Sequence, residues 1–470
     1  MAHFKTVLKN SSYLMGFRIL SRIMSLVFLV YAATKLGPAG FGVLSFVLVT
    51  VEMLNSIGDL GIARFGAREL VRGWGKKELL AGQILVLQVL TSLPFLAIGV
   101  ILVLVLHPAY PKFQLLLLGL AAFFLYSVIG TTESVFTARQ QFIFSASFTF
   151  LGRLIYIATG IVVLATGRSV ILILAGYLAA TIIEAIARLA VVVGKFTSFS
   201  FRFRPSALWP MILVIIPFAI VGVASTLSYR INLMILEFIK GDVATGVYNI
   251  AFSLYTPFVW LTLILSTTIF PGFTEIYMRD RHLARLNAWQ WYRLMALAGI
   301  PLALLITMVA KPILSHFPAG YEDSAVILMV MAWSMPPVFI STVDINILQA
   351  SDHQRQAANG PVLGAVATAL LSFLMIPFFG GTGAALAALA SVAFQEVYFH
   401  WQVRKHVMER VMYPLLLRPL LGGVVMGAVT LLLLPVSVWL AAPVASLAYV
   451  ATIFATRAVR GSEIKSLVRG

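Results

Sequence analysis

The chain has 470 residues, 60% of them hydrophobic and 11% charged, with a mean hydropathy of +0.98 and a formal net charge of +17. An ordinary globular domain is about 25% charged, so a soluble domain is excluded. A β-barrel is excluded as well, because the apolar runs are continuous over about 20 residues instead of alternating over about 10. Cysteine is absent, which rules out disulfides, thiolate metal sites and a cysteine nucleophile.

Taken in order, the segments long enough to span a bilayer are 11–33, 41–62, 79–106, 113–138, 142–167, 170–194, 207–239, 243–275, 289–314, 324–350, 361–379, 382–403, 415–434 and 440–456. The fold class expected is an all-α polytopic membrane protein of about fourteen transmembrane helices. With the N-terminus cytoplasmic, the outside loops hold only Lys35, Lys112, Arg168, Lys240 and Lys311. The spans hold Arg18, Arg22, Arg153, Arg188, Arg230 and Arg293, and every other Lys and Arg lies inside. This asymmetry accounts for the net charge without nucleic acid and sets both termini in the cytoplasm. No cleavable signal peptide is evident. The cytoplasmic loops 63–78, 195–206, 276–288 and 404–414 read as short amphipathic connectors.

The first two spans carry an unusual load of charge. Arg18 and Arg22 share a helix face with Ser11 and Ser25, and Ser45, Glu52 and Asp59 repeat every seven residues on the next helix. A charge at bilayer depth costs roughly 2.5–3.5 kcal/mol even on the lenient insertion scale. These stripes therefore face water, protein or a ligand, as in helices lining a wet cavity. Arg22 lies about 16 Å and Glu52 about 15 Å from the same membrane face at 1.5 Å per residue. The matching depths predict an Arg22–Glu52 pair that a ligand anion could open.

Gly37-Pro-Ala-Gly-Phe-Gly42-Val43 aligns with Gly241-Asp-Val-Ala-Thr-Gly246-Val247 at a constant offset, each between the first and second helix of a six-helix unit. The expected domains are an N-terminal lobe 1–194, a parallel C-terminal lobe 195–410 and an appended pair with a cytoplasmic tail, 411–470. The two lobes would surround a central cavity. The appended pair is almost purely apolar, with Gly422-Gly423 and Gly427, and reads either as a groove for a lipid tail or as added bulk. Pro94, Pro217, Pro257, Pro271, Pro301 and Pro336-Pro337 fall inside spans, as static kinks or as flexing points.

Arg153 and Arg230 join Arg18 and Arg22 as candidate anion ligands, since a guanidinium fork grips phosphate and stays charged. The alternative for each is a structural ion pair between helices. Glu52, Asp59, Glu133 and Asp344 are candidates for ion coupling or gating, and each could equally neutralise an arginine. Glu184 and Arg188, four apart, read as a local structural pair. Tyr248, Tyr255 and Tyr292 are candidates for stacking on sugar rings. His400 and His406 read as solvated at the interface. No HExxH motif, paired metal spacing, Walker loop, GxGxxG pattern or serine elbow is found, so no metal, cofactor, ATP site or catalytic residue is expected.

Lys9-Asn10, Leu36-Gly37-Pro38 with Phe41-Gly42, Asp59-Leu-Gly61 and Arg68-Glu69 resemble the oligosaccharide-lipid flippases of the multidrug/oligosaccharidyl-lipid/polysaccharide exporter superfamily. The fourteen helices and parallel lobes extend the resemblance over the whole chain. It implies transfer of a polyprenyl-pyrophosphate-linked oligosaccharide, of the kind used for O-antigen or exopolysaccharide, from the cytoplasmic to the outer leaflet of a bacterial inner membrane. The partners it implies are that lipid-linked sugar, a proton or sodium ion, membrane lipid and other polysaccharide-assembly proteins. Two competing functions are a cation-coupled drug exporter, for which an acidic cavity is expected, and an oligosaccharide polymerase or ligase, for which a large outer loop is expected.

Overall fold

The computed structural model describes residues 2–73, 76–106, 112–167, 169–200, 205–408, 414–456 and 458. Within these, the side chains of 2–15, 18, 19, 102, 103, 105, 106, 205–208, 218, 267, 268, 271 and 414–416 are not described. Arg18, the Lys9-Asn10 pair and the C-terminal tail therefore lie outside the described side chains. The described residues are helical throughout, with no strand: α1 (Ala2–Asp59), α2 (Ile62–Arg72), α3 (Lys77–Leu106), α4 (Lys112–Ala138), α5 (Phe142–Ala165), α6 (Val170–Lys195), α7 (Pro205–Arg279), α8 (Arg281–Leu314), α9 (Asp323–Ala332), α10 (Met335–Ala350), α11 (Gln354–His406), α12 (Pro414–Leu433) and α13 (Val438–Ala455).

Three of these helices are too long for one crossing, and each breaks at a glycine. The breaks are at Gly37 (φ 67°, ψ 177°), Gly241 (φ 77°, ψ −170°) and Gly380 (φ 56°, ψ −131°). Each broken helix supplies two spans, and α9 with α10 forms the single apolar stretch Asp323–Ala350. With the shorter apolar helix Leu417–Leu433 the chain makes about fourteen spans, as the hydropathy predicts. Gly37 and Gly241 are the glycines that align in the sequence repeat, and they share one backbone conformation. That conformation is open to glycine alone, because a Cβ would clash with its own backbone.

Two compact units follow from packing, Met1–Arg230 and Ile231–Gly470. The repeat would divide the chain before α7. By packing, α7 up to Arg230 belongs to the first unit, and Ile215 and Ala219 are buried there with Ile62, Phe65, Leu87, Val135 and Phe136. In the second unit, α12 and α13 pack on α8: Tyr449 donates to the Leu297 carbonyl at 3.1 Å, and a Cβ on Gly423 would lie 2.8 Å from Ile300. Gly422 and Gly423 thus serve close helix approach, while Gly427 has nothing near it.

Local chemistry explains the element ends. The segment 63–78 was expected to be an amphipathic connector and forms α2, with Ile62, Phe65, Ala67 and Leu70 buried and Arg64, Arg68 and Arg72 exposed. Asp59 accepts from the amides of Gly61 and Ala63, both at 3.2 Å, and so caps α2. The connector expected at 276–288 is instead helical on both sides of a single residue. Asp280 is extended and accepts from the amides of His282 (2.7 Å) and Leu283 (3.2 Å), capping α8. Pro336 and Pro337 start α10 after a break at Trp333-Ser334, because proline fits a helix's first turn. Pro94 and Pro301 sit inside unbroken helices.

The glycine turns give a direct test. Alanine at Gly37 or Gly241 meets no neighbour within 4 Å, so backbone strain alone should destabilise each variant, by about 1–3 kcal/mol. Thermal melting in detergent should show similar losses at the two positions, whereas Gly427→Ala should be nearly neutral.

Candidate functional site

The first unit holds one fully engaged arginine and several exposed ones. Arg188, on α6, is 2% exposed. Its Nε donates to Glu184 at 2.9 Å, its Nη1 to Glu133 on α4 at 2.9 Å, and its Nη2 to the Ser145 carbonyl (3.1 Å) and the Thr149 hydroxyl (2.6 Å) on α5. Ser145 Oγ also donates to both Glu133 oxygens, at 2.8 and 2.6 Å. Glu133 is therefore the counter-charge of a buried guanidinium that binds three helices together. The spacing of Glu184 and Arg188 foretold their pairing. The parts played by Ser145 and Thr149 have no sequence signature.

Asp59 is similarly committed. Besides its two amides it accepts from Gln88 Nε2 at 2.9 Å, and Gln88 Oε1 accepts from Thr131 at 2.7 Å. Ser92 and Ser127 are bonded at 2.8 Å. The network ties the end of α1 to α3 and α4.

The remaining charges of the first unit lie on an open polar stripe. Arg22 and Arg153 are exposed, and Arg153 Nη1 donates to Ser25 at 3.0 Å, which brings α5 onto the polar face of α1. Glu52 pairs with Arg230 at 2.6 Å. Equal depth in the membrane fixes a level but not a direction around the helix, and Glu52 points to α7. Tyr126, bonded to Tyr177 at 2.8 Å, lies within the electrostatic reach of Glu52, Arg153 and Glu184. Tyr156 packs edge-on against Tyr177 with ring centres 5.3 Å apart. Arg22 and Arg153 thus lie exposed on α1 and α5, while Arg230 is paired with Glu52, and Tyr126, Tyr156 and Tyr177 form a patch of rings in the same unit. At bilayer depth, exposed guanidinium groups need water or an anionic ligand.

The second unit overturns two expectations. Tyr248, Tyr255 and Tyr292 are 1%, 7% and 4% exposed, so they are core residues and do not offer ring faces to a sugar. Their hydroxyls are committed to Asn232, Ser334 and Asp344. His400 is packed inward, edge-on to Tyr292 with its Nδ1 3.8 Å from Asp344, and is not a solvated interfacial residue. Asp344 is fully buried. Glu396 joins this group from the turn of α11 preceding His400, and the spacing of four residues was a signal available in the sequence.

A family model described as "Polysaccharide biosynthesis protein" matches residues 7–277. Among solved structures, the fold is shared with "Lipid II flippase MurJ, inward closed conformation", at TM-score 0.78 and 14% identity over 95% of this chain and 99% of that one. It is shared with an inward-facing multidrug resistance MATE family transporter of the MOP superfamily, at 0.66 and 12% over 83% and 96%. A MOP superfamily transporter from Pyrococcus furiosus, described as having a binding pocket of reverse polarity, aligns at 0.55 and 13% over 86% and 96%. No curated protein matches the chain.

Removing only the cation from the Arg188 network strands two carboxylates, at a cost of about 3–5 kcal/mol. Arg188→Met should therefore sharply reduce folded protein, measured by size-exclusion chromatography of detergent extracts. Combining it with Glu133→Gln and Glu184→Gln should recover much of the loss.

Proposed function

The chain belongs to the polysaccharide biosynthesis protein family, and within it we propose that this multi-pass membrane protein is a flippase for a polyprenyl-pyrophosphate-linked oligosaccharide. It would carry the headgroup from the cytoplasmic to the outer leaflet of a bacterial inner membrane, for O-antigen or exopolysaccharide assembly, with both termini in the cytoplasm. The carrying observation is that three guanidinium groups of the first unit sit in membrane-spanning helices, Arg22 and Arg153 exposed on α1 and α5 and Arg230 paired with Glu52. A pyrophosphate carries several charged oxygens on tetrahedral phosphorus, and the planar guanidinium fork can grip two of them at once.

The role of each group follows from its present partner. Arg22 and Arg153 offer donors at the exposed surface of α1 and α5. Arg230 is held by Glu52 until the pyrophosphate competes for it. Glu52, 57% exposed, is then released to take a proton or a sodium ion, which would tie headgroup binding to ion uptake. A ligand shifts a conformational equilibrium only by binding one state better than the other, and breaking this pair supplies such a difference. Asp59 and Glu133 are occupied structurally, which favours Glu52 as the coupling group of this unit. Arg18 lies one turn from Arg22 and is proposed to extend the same anion surface.

A drug exporter is the second reading, favoured by the likeness to MATE transporters. A cationic drug would call for an acidic surface, and the exposed Arg22 and Arg153 have the opposite sign. The discriminating measurement is transport in proteoliposomes, using a polyprenyl-pyrophosphate-linked oligosaccharide labelled on its sugar and, separately, a cationic dye. Each hydrogen bond to a charged group is worth about 1.5–3 kcal/mol, so Arg22→Ala, Arg153→Ala and Arg230→Ala should each lower lipid transport about tenfold or more, at unchanged protein level. Lysine should restore part of it. Glu52→Gln should keep lipid binding and lose dependence on the ion gradient. Full lipid transport by an Arg22→Ala, Arg153→Ala double variant, or movement of the dye alone, would overturn the flippase reading.

A further inference from the structure

The second unit contains a cluster that the anion surface does not use. Asp344 on α10, Glu396 and His400 on α11 and Tyr292 on α8 converge on one point. The ligand atoms of Asp344, Glu396 and His400 all lie within 4.8 Å of one another. Asp344 is fully buried, with its Oδ2 lacking any hydrogen-bond partner, and Glu396 Oε2 is also buried without one.

We propose that Asp344, Glu396 and His400 form a binding site for a divalent first-row metal ion such as Mn2+ or Zn2+. The first argument is charge. Two carboxylates side by side in a buried, low-dielectric place repel each other when both are ionised. One divalent ion cancels both and leaves the site neutral. The second argument is donor chemistry. Two carboxylate oxygens with one imidazole nitrogen suit Mn2+ and Zn2+, whereas Mg2+ and Ca2+ are held by oxygen ligands. The third is spacing. His400 Nδ1 and Asp344 Oδ1 are 3.8 Å apart, too far for a hydrogen bond. Ligands sharing one ion at about 2.1 Å stand about 3.4 Å from each other, so a small contraction closes the site. The fourth is the outer shell. The Tyr292 hydroxyl donates to Asp344 Oδ1 and fixes that carboxylate, as second-shell partners do at metal sites.

The cluster lies toward the ends of α10 and α11. Asp344 and His400 each lie six residues before the ends of their helices, Ala350 and His406, hence about 9 Å from those ends. An ion held there would clamp α8, α10 and α11 of the second unit. The inference does not depend on what the protein transports, because its test reads metal and not flux.

The full-length protein, purified in detergent with a tag free of histidine, is stripped with a chelator and equilibrated with Mn2+ or Zn2+. The absence of cysteine removes thiolate background. The expected result is one ion per chain, a higher melting temperature with the ion than without, and a nitrogen-14 modulation in the spin echo of bound Mn2+ from the imidazole. Glu396→Gln and His400→Gln should each weaken binding by tenfold or more. Tyr292→Phe should weaken it by about 10–100-fold while keeping the stoichiometry. His316→Gln, at the surface end of α8, should change nothing. Should one ligand variant fail to fold, the other ligand variant and the nitrogen modulation of the unaltered protein still decide. The proposal is overturned if the ions leave the melting temperature unchanged, if bound Mn2+ shows no nitrogen coupling, or if stability follows pH and ignores metal.

Discussion

Charge inside a bilayer must be cancelled or wetted, and Arg188 shows the first solution in full. Its guanidinium is spent on two carboxylates, a carbonyl and a hydroxyl from three helices. Satisfied in this way it is a structural rivet, and the donors it consumes are unavailable for anything else. Asp59 is used up likewise by two amides and Gln88. Arg22, Arg153 and Glu52, by contrast, are exposed, and Glu52 is paired with Arg230.

The same economy shapes the backbone. In the hydrocarbon region every amide must find its bond internally, and a turn of one non-helical residue leaves few amides outside the helices. The turns at Gly37 and Gly241 reverse the chain without leaving the helical hydrogen-bond pattern for more than one residue. The repeated glycine is thus a geometric necessity of a tight hairpin at two places in the chain. The compact units nevertheless cut the chain at Arg230, inside α7, because side-chain packing and chain repetition obey different rules.

Much of this was legible beforehand. Hydropathy over windows of about 20 residues is a strong signal, and it yielded the all-helical class, about fourteen spans and the turn glycines. Helical spacing yielded Glu184 with Arg188. The partner of Glu52 was not legible: arithmetic along a helix axis gives depth, whereas pairing needs the rotation of two helices about their axes, which apolar stripes on both sides leave open. Tyr248, Tyr255 and Tyr292 are ordinary aromatic residues in composition, and only packing shows that their hydroxyls serve buried polar atoms. His400 was misplaced because nearness to a span's end says nothing about which side of the helix it occupies. Asp280 was missed because charged residues around it mimic a loop, although Glu275 and Arg279, paired at 2.8 Å, support helix beyond the apolar core.

Asp280 has a mechanical meaning. One extended residue separates α7 from α8, and its carboxylate latches onto the amides of His282 and Leu283. The 34 residues of α8 form a rod about 51 Å long. Rotation about the two soft dihedrals of that single residue by ten degrees would swing the far end through about 9 Å. Tyr449 and Ile453 of α13 and Met426 of α12 pack on Leu297, Leu304 and Leu305 of that rod, so the last two helices would ride with it. A side chain of four heavy atoms thus sits at the fulcrum of a lever that carries two further helices.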